Sequence, residues 1–270
     1  MKTNTTKHFG FTILFLAFFL NSKEIIAQEL TGCQNESQVT LLPVLWQQTA
    51  AEYRALCYQA FNLATLRLNE IPRKEIKKEN LAIITDLDET ILDNSYVGTQ
   101  LIKENKEMTE IEWNRWTAAS KTTAVPGAVA FLQEASKKGI TIFYVSNRDT
   151  TAVKSTLIDL KNLQLPNADT AHCLFKSNTS SKEVRRTTIA KEYQIVMLLG
   201  DNLNDFKNTF EKKSIAERFI ATDAEQEQWG KKFIVIPNAT YGEWANALYN
   251  YTNKTDAEKE KIRIELLIGY

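Results

Sequence analysis

The stretch that most constrains this chain is Leu81 to Ser95, LAIITDLDETILDNS. An apolar, β-rich run, Leu81-Ala82-Ile83-Ile84, stops abruptly at Asp86-Leu87-Asp88-Glu89-Thr90. Such a run bounded by polar residues reads as a buried parallel strand, and in open α/β sheets ligands sit at the carboxyl ends of strands. Period-2 alternation puts Asp86 and Asp88 on one side. Two carboxylates held that close repel each other unless a cation joins them or one takes a proton. Both solutions suit phosphoryl transfer: a hard Mg²⁺ binds carboxylate oxygens, and an Asp can attack phosphorus to form an aspartyl-phosphate. A solvated acidic turn would read the same way. A second apolar run, Ile195 to Gly200, then ends in Asp201 and Asp205. Four Asp residues at two strand ends are hard to explain as surface decoration.

The remaining elements extend an α/β pattern. Strands are expected at Ile140 to Val145 and Lys232 to Ile236, and helices at 128–138, 150–163 and 182–193. Short crossovers of this kind imply a parallel sheet with helices on both faces. Residues 38 to 70 read as helix, with Leu41, Leu45, Leu56, Tyr58, Leu63 and Leu66 among the apolar positions at helical spacing. That helix is expected to pack on the core. Residues 164 to 181 read as a polar connection. There is no G-x-G-x-x-G or Walker pattern, which argues against a nucleotide-cofactor or P-loop fold.

Residues 1 to 27 read as an export signal: Lys2 and Lys7, then a dozen mostly apolar residues from Phe9 to Leu20, too short to span a bilayer comfortably. Leu30-Thr31-Gly32-Cys33 also matches a lipoprotein acylation pattern, but Lys23, Glu24 and Glu29 separate it from the apolar run, so simple export ranks above lipidation at Cys33. Export places the protein in the periplasm, on the outer membrane or outside the cell. The expected organisation is a helical region and linker over 28–80, a catalytic core over 81–242 with a helical insert near 93–124, and a helical region over 243–270. Lys plus Arg and Asp plus Glu are 33 each, so no global charge steers the chain to nucleic acid. Cys57 and Cys173 read as buried, small apolar residues. His172 is the single histidine outside the leader that could serve as a base.

Trp113 and Trp116 in EWNRW share a helix face. They suit either core packing or an aromatic wall for a planar group. Ser146 and Asn147, at the end of the third apolar run, could donate to a phosphate oxygen. Ser146 and Asp149 suit a helix-start cap equally well.

DLDET, SNR, Lys182 and GDNLND, in that order, resemble the four motifs of the haloacid dehalogenase (HAD) superfamily. Within it the chain is similar to the class C acid phosphatases, the DDDD phosphohydrolases, and to the bacterial outer-membrane lipoprotein 5′-nucleotidases of that class. DLDETILDNS, EWNRW, AVPGAV, FYVSNRD, GDNLNDF and PNATYGEW carry the resemblance over nearly all of the chain after Trp46. It implies a HAD-like (Rossmannoid) fold with a small helical cap and a Mg²⁺-dependent 5′-nucleotidase chemistry. Asp86 matches the nucleophile and a metal ligand. Asp88 matches the general acid/base, and its backbone carbonyl a metal ligand. Asp201 matches the third protein ligand and Asp205 an acceptor behind it. Ser146 and Lys182 match phosphate-binding positions, with Asn147 and Arg148 beside them. Trp113 and Tyr241 match residues that clamp a nucleobase, with Tyr96 bordering the same pocket. A homodimer is also implied. The alternatives are a phosphatase or phosphotransferase for other phosphomonoesters, and a surface binding protein that kept the fold without turnover.

Overall fold

Alternate side chains of each strand are sorted to two different cores. On one face of the sheet lie Ile83, Ile142, Tyr144, Met197, Leu199 and Ile234. On the other lie Ala82, Ile84, Phe143, Val145, Leu198 and Phe233. Burial on both faces explains why these strands read as continuous apolar runs. The computed structural model describes residues 36–71 and 80–270. The expected leader, Cys33 and the charged linker before the first strand lie outside the described residues.

The sheet contains β1 (Leu81–Thr85), β4 (Thr141–Asp149), β5 (Cys173–Lys176), β6 (Gln194–Gly200) and β7 (Phe233–Val235). Its order is β5-β4-β1-β6-β7, and every pairing is parallel. A two-residue antiparallel ribbon, β2 (Leu92–Asp93) with β3 (Thr123–Ala124), brackets the helical insert α4 (Ser95–Glu104) and α5 (Glu110–Ala119). The DLDET strand is therefore central, and its carboxyl end faces the insert. The expected α/β architecture is present. The sequence reading missed the edge strand β5, which lies inside the segment taken as a polar connection. Three of its four residues are only half-buried, so the apolar signal of a central strand is absent there.

The N-terminal helical region divides into α1 (Glu36–Val39), α2 (Leu41–Thr49) and α3 (Ala51–Glu70), with an extended break at Ala50. The helix packs on the core as expected, with Leu63 against it, but most of the other apolar positions read from the sequence stay outside. Leu41, Leu45, Leu56, Tyr58 and Leu66 are exposed, while α3 buries Tyr53, Cys57, Phe61, Ala64 and Leu68. These five recur at steps of three and four residues and so form one face. They pack with α6 (Ala128–Lys137), which contributes Phe131, Leu132 and Ala135. Gly127, at φ +93°, opens α6. A Cβ there would meet the Phe61 ring at 2.9 Å, so the close approach of the two helices needs glycine.

After β4 comes α7 (Val153–Asn162), after β5 comes α8 (Glu183–Glu192), and α9 (Ile215–Ala224) lies between β6 and β7. The expected C-terminal helical region forms α10 (Glu243–Leu248) and α11 (Asp256–Glu265). Cys57 and Cys173 are buried free thiols, as expected. Burial pushes them up to about 11 and about 12, so both stay neutral. Among the described residues, no helix is long and apolar enough to cross a membrane.

Candidate active site

The carboxyl ends of β1 and β6 sit side by side, and the acidic residues that follow them converge. Asp86 continues the ladder, its amide donating to the Leu199 carbonyl at 3.0 Å. Asp86, Asp201 and Asp205 each offer a carboxylate oxygen within 4.8 Å of the others. Lys182, immediately before α8, brings the compensating charge. Its buried ammonium bonds Asp86 and lies 2.7 Å from Asp205 Oδ1. Thr90 Oγ1 donates to Asp201 Oδ1 at 3.1 Å, and Asn238 donates to Asp201 Oδ2 at 2.8 Å. Asp205 Oδ2 accepts the Asn202 amide at 3.1 Å. Both Asp205 oxygens are thus engaged by protein, which suits an acceptor lying behind the ligands. Gly200 makes the packing possible, since a Cβ there would come within 2.4 Å of Asp205.

One ammonium against three carboxylates leaves the cluster short of positive charge. Burial, ahead of the opposing Lys182 charge, pushes Asp86 up to about 7. Burial, then Asp205 and Asp86, raises Asp201 well above its ordinary value. These are oxygen donors of the kind a hard divalent cation takes, and a cation would oppose both the burial and the mutual repulsion that push their carboxyls upward.

Asp88 has a different setting. Its Oδ1 accepts from Arg148 Nη2 at 2.8 Å, Asn94 Nδ2 at 2.9 Å and Arg148 Nε at 3.0 Å. The side chain that could serve as acid or base is thus kept apart from the Lys182 cluster and held by its own cation.

A cavity of about 870 Å³ opens over these groups, and Asp86, Asp88, Lys182, Asp201 and Asp205 all line it. Its walls include Trp113, Asn147 and Tyr241. The volume is far beyond a phosphate ion and leaves room for an organic group of drug size. Apolar Val44, Val97, Leu101 and Met108 line part of it, and Asn246, Tyr249 and Lys254 another part.

Three other expected site residues have committed settings. Arg148 lines the cavity, yet it is 1% exposed and all three guanidinium nitrogens have acceptors in the protein. Tyr96 does not line the cavity; it stacks on Trp116 with ring centroids 6.1 Å apart. Ser146 is buried and is not a lining residue either. Its hydroxyl accepts the Arg148 amide at 3.0 Å and reaches Asp88 Oδ2 at 3.5 Å. Asn147 does line the cavity, with its Oδ1 taking Arg185 Nη2 at 2.7 Å. Of the two tryptophans, Trp113 borders the cavity and Trp116 is committed to Tyr96 and Asn94. His172 pairs with Asp169 and takes no part in the cavity wall.

Glu89 was overlooked. It is 2% exposed, sits at φ +59°, and its carboxyl is pushed up to about 8, by burial first and then by Asp88. A bulky residue in that left-handed conformation is strained and is held by its surroundings. Here the anchors are the Asn94 amide, 3.0 Å from Oε1, and the Tyr241 hydroxyl on Oε2. Glu89 thereby ties the 237–242 loop to the loop that follows β1. Its place directly after DxD, in a turn, was the available signal.

A catalytic β1 end, a lysine preceding α8 and paired acids after β6 define a phosphomonoesterase of the HAD type. The chain belongs to the HAD superfamily, subfamily IIIB (acid phosphatase), whose family model matches residues 16–244. It is similar to the class C acid phosphatase from Bacillus anthracis, with 38% identity over 87% of this chain and 99% of that one, at a TM-score of 0.83. A second structure of that protein, with tungstate bound, matches at the same identity and TM-score and is covered over 98% of its length. The chain is accordingly a phosphoric monoester hydrolase with a HAD-like fold.

Proposed function

We propose that this acid phosphatase is exported, depends on Mg²⁺ and hydrolyses nucleoside 5′-monophosphates through an aspartyl-phosphate on Asp86. The observation that carries the proposal is the buried Lys182 ammonium between Asp86 and Asp205, with Asp201 beside them on the cavity floor. That arrangement has the charges that a phosphoryl group and a divalent cation need. The resemblance and the oxyanion, tungstate, bound by the Bacillus anthracis protein support the same reading.

Asp86 and Asp201, with the Asp88 backbone carbonyl, would hold Mg²⁺; when bound, it supplies positive charge against the phosphoryl oxygens. Asp86 attacks phosphorus in line as the bond to the leaving oxygen breaks, with Lys182 countering charge on the transferring group. Asp88 gives its proton to that oxygen. It then takes a proton from the water that attacks phosphorus, and Asp86 departs as carboxylate. Cation binding needs ionised carboxylates, and those of Asp86 and Asp201 are raised. Mg²⁺ affinity is therefore expected to fall as pH drops through about 7, with proton release on binding. Calorimetry in buffers of different ionisation enthalpy checks this; an affinity independent of pH across neutrality contradicts it.

Nucleotide preference rests on Trp113 and Tyr241 bordering a cavity large enough for a nucleoside. Phosphate release from AMP, glycerol 2-phosphate and p-nitrophenyl phosphate tests it. Trp113→Ala is expected to raise KM for AMP by about tenfold or more, as for loss of one stacking contact, and to leave glycerol 2-phosphate, which has no ring to stack, little changed. Equal losses on all three would favour a phosphatase of broad specificity. Export, with acylation at Cys33 as the lesser route, and a homodimer are proposed on the sequence reading and the resemblance alone.

A further inference from the structure

The two oxygens of Asp88 are not equivalent. Oδ1 carries three N–H contacts, at 2.8, 2.9 and 3.0 Å. Oδ2 has only the shared Arg148 Nε at 3.2 Å and the Ser146 hydroxyl at 3.5 Å, both long. A carboxyl oxygen already accepting three N–H groups has no lone pair left for a proton.

The donors on Oδ1 are themselves fixed. Trp116 Nε1 donates to Asn94 Oδ1 at 2.7 Å. An indole can only donate, so this bond sets the Asn94 amide and turns its NH₂ toward Asp88. Arg148 is held from behind by α7. Its Nη1 reaches Thr156 Oγ1 at 3.1 Å and the Asp159 carboxylate at 3.6 Å. Thr156 and Asp159 are both buried and lie three apart on one helix face. The Arg148 side chain has no solvent exposure, while Asp88 retains 14%. A planar guanidinium gripped on two edges cannot swing, and it passes that rigidity to the carboxylate it grips.

We propose that Asn94 and Arg148, backed by Trp116, Thr156 and Asp159, are positioning residues that hold Asp88 through Oδ1 and leave Oδ2 as the oxygen that exchanges a proton with the substrate. The inference rests on the reading of Asp88 as the acid of the first step. In that step the proton leaves Oδ2 for the leaving oxygen as the P–O bond breaks, Asp86 gains the phosphoryl group, and Asp88 is left as a carboxylate still held through Oδ1. The same Oδ2 then collects the proton of the attacking water.

Leaving-group dependence tests this, because nitrophenolate departs without a proton whereas an alkoxide does not. kcat/KM covers phosphoenzyme formation alone and is compared for p-nitrophenyl phosphate and glycerol 2-phosphate in wild type, D88N, N94A, R148K and D159N. The ratio between substrates does not depend on the fraction of folded enzyme. D88N is expected to lose about 10²- to 10⁴-fold more on the alkyl than on the aryl ester, as for a lost general acid. N94A and R148K are expected to show a selective alkyl loss of about 10²-fold, as for a misplaced catalytic group, and D159N a smaller one of the same sign. A selective loss in D88N with equal losses on both esters in N94A and R148K overturns the positioning proposal alone. Equal losses in D88N itself overturn the reading of Asp88, and the proposal with it.

Discussion

Asp86→Asn is expected to lower turnover of every phosphomonoester by about 10⁴- to 10⁶-fold, as for removal of a covalent nucleophile, while the fold survives. The amide has the size of the carboxylate but cannot attack phosphorus to form an acyl phosphate. Stability should be kept because Lys182 retains Asp205 at 2.7 Å, and because one of three crowded carboxylates becomes neutral. Asp205 and Asp88 both push the Asp86 carboxyl upward, so neutralising it removes repulsion from the cation-free protein. Phosphate release by a rigorously purified variant, together with its thermal unfolding, gives both halves of the result. Retained turnover would mean that the attacking group lies elsewhere.

Lys182→Met should be damaging in two separate ways. Removing a cation aimed at the transferring phosphoryl group is expected to cost about 10²- to 10³-fold in kcat, by analogy with one oxyanion-stabilising group. The second effect is on stability. Asp86 and Asp205 both act to raise the pKa of Lys182 against the effect of its burial, so the ammonium is the counter-charge of the cation-free site. Breaking a buried pair by removing one partner typically costs about 3–5 kcal/mol. The pH dependence follows from the sign of the carboxylate shifts. A buried acid whose folded pKa lies above its unfolded value binds more protons when folded, so stability falls as pH rises between the two values. Asp86 already stands at about 7, and loss of the Lys182 charge that lowers it moves it higher. Both proteins hold the extra Asp86 proton up to about pH 7, so the deficit of cation-free Lys182→Met relative to wild type should widen as pH rises above about 7, and added Mg²⁺ should restore part of it. Urea unfolding below and above that value, at about pH 6 and about pH 8.5, reads the effect. An equal deficit at both would show that the ammonium does not balance the acidic cluster.

The parts of this molecule that were legible in the sequence share one physical cause. A parallel strand buried on both faces leaves a continuous apolar run, and polar groups directly after it fall at the ligand-binding edge. That located Asp86, Asp88, Asp201 and Asp205, and all four line the cavity. Lys182 was visible only through the resemblance, because nothing in a lysine preceding a helix marks it as buried. The ion pairs of Arg148 were not legible either: they run to Asp88 and to Asp159, which sits in the polar-looking helix VKSTLIDLKN. The buried face of the N-terminal helix was less legible because α3 carries apolar residues on more than one face. The core chose the one containing Tyr53, Cys57 and Phe61, which are weaker hydrophobic signals as a set than the leucines left outside. Glu89 and Asn94 lie inside a motif whose aspartates drew the attention. Their role emerges only once Tyr241, 152 positions away in the chain, is seen to close on Glu89.

The central claim is that Asp86 becomes phosphorylated, and the most direct test is to catch it. The protein is mixed with ³²P-labelled phosphomonoester and Mg²⁺ and quenched in acid within milliseconds. The account predicts label on one peptide containing Asp86, stable to acid and released by hydroxylamine as an acyl phosphate is, and absent from Asp86→Asn. Label on another residue, or single-turnover phosphate release with no covalent label at any time, would contradict it.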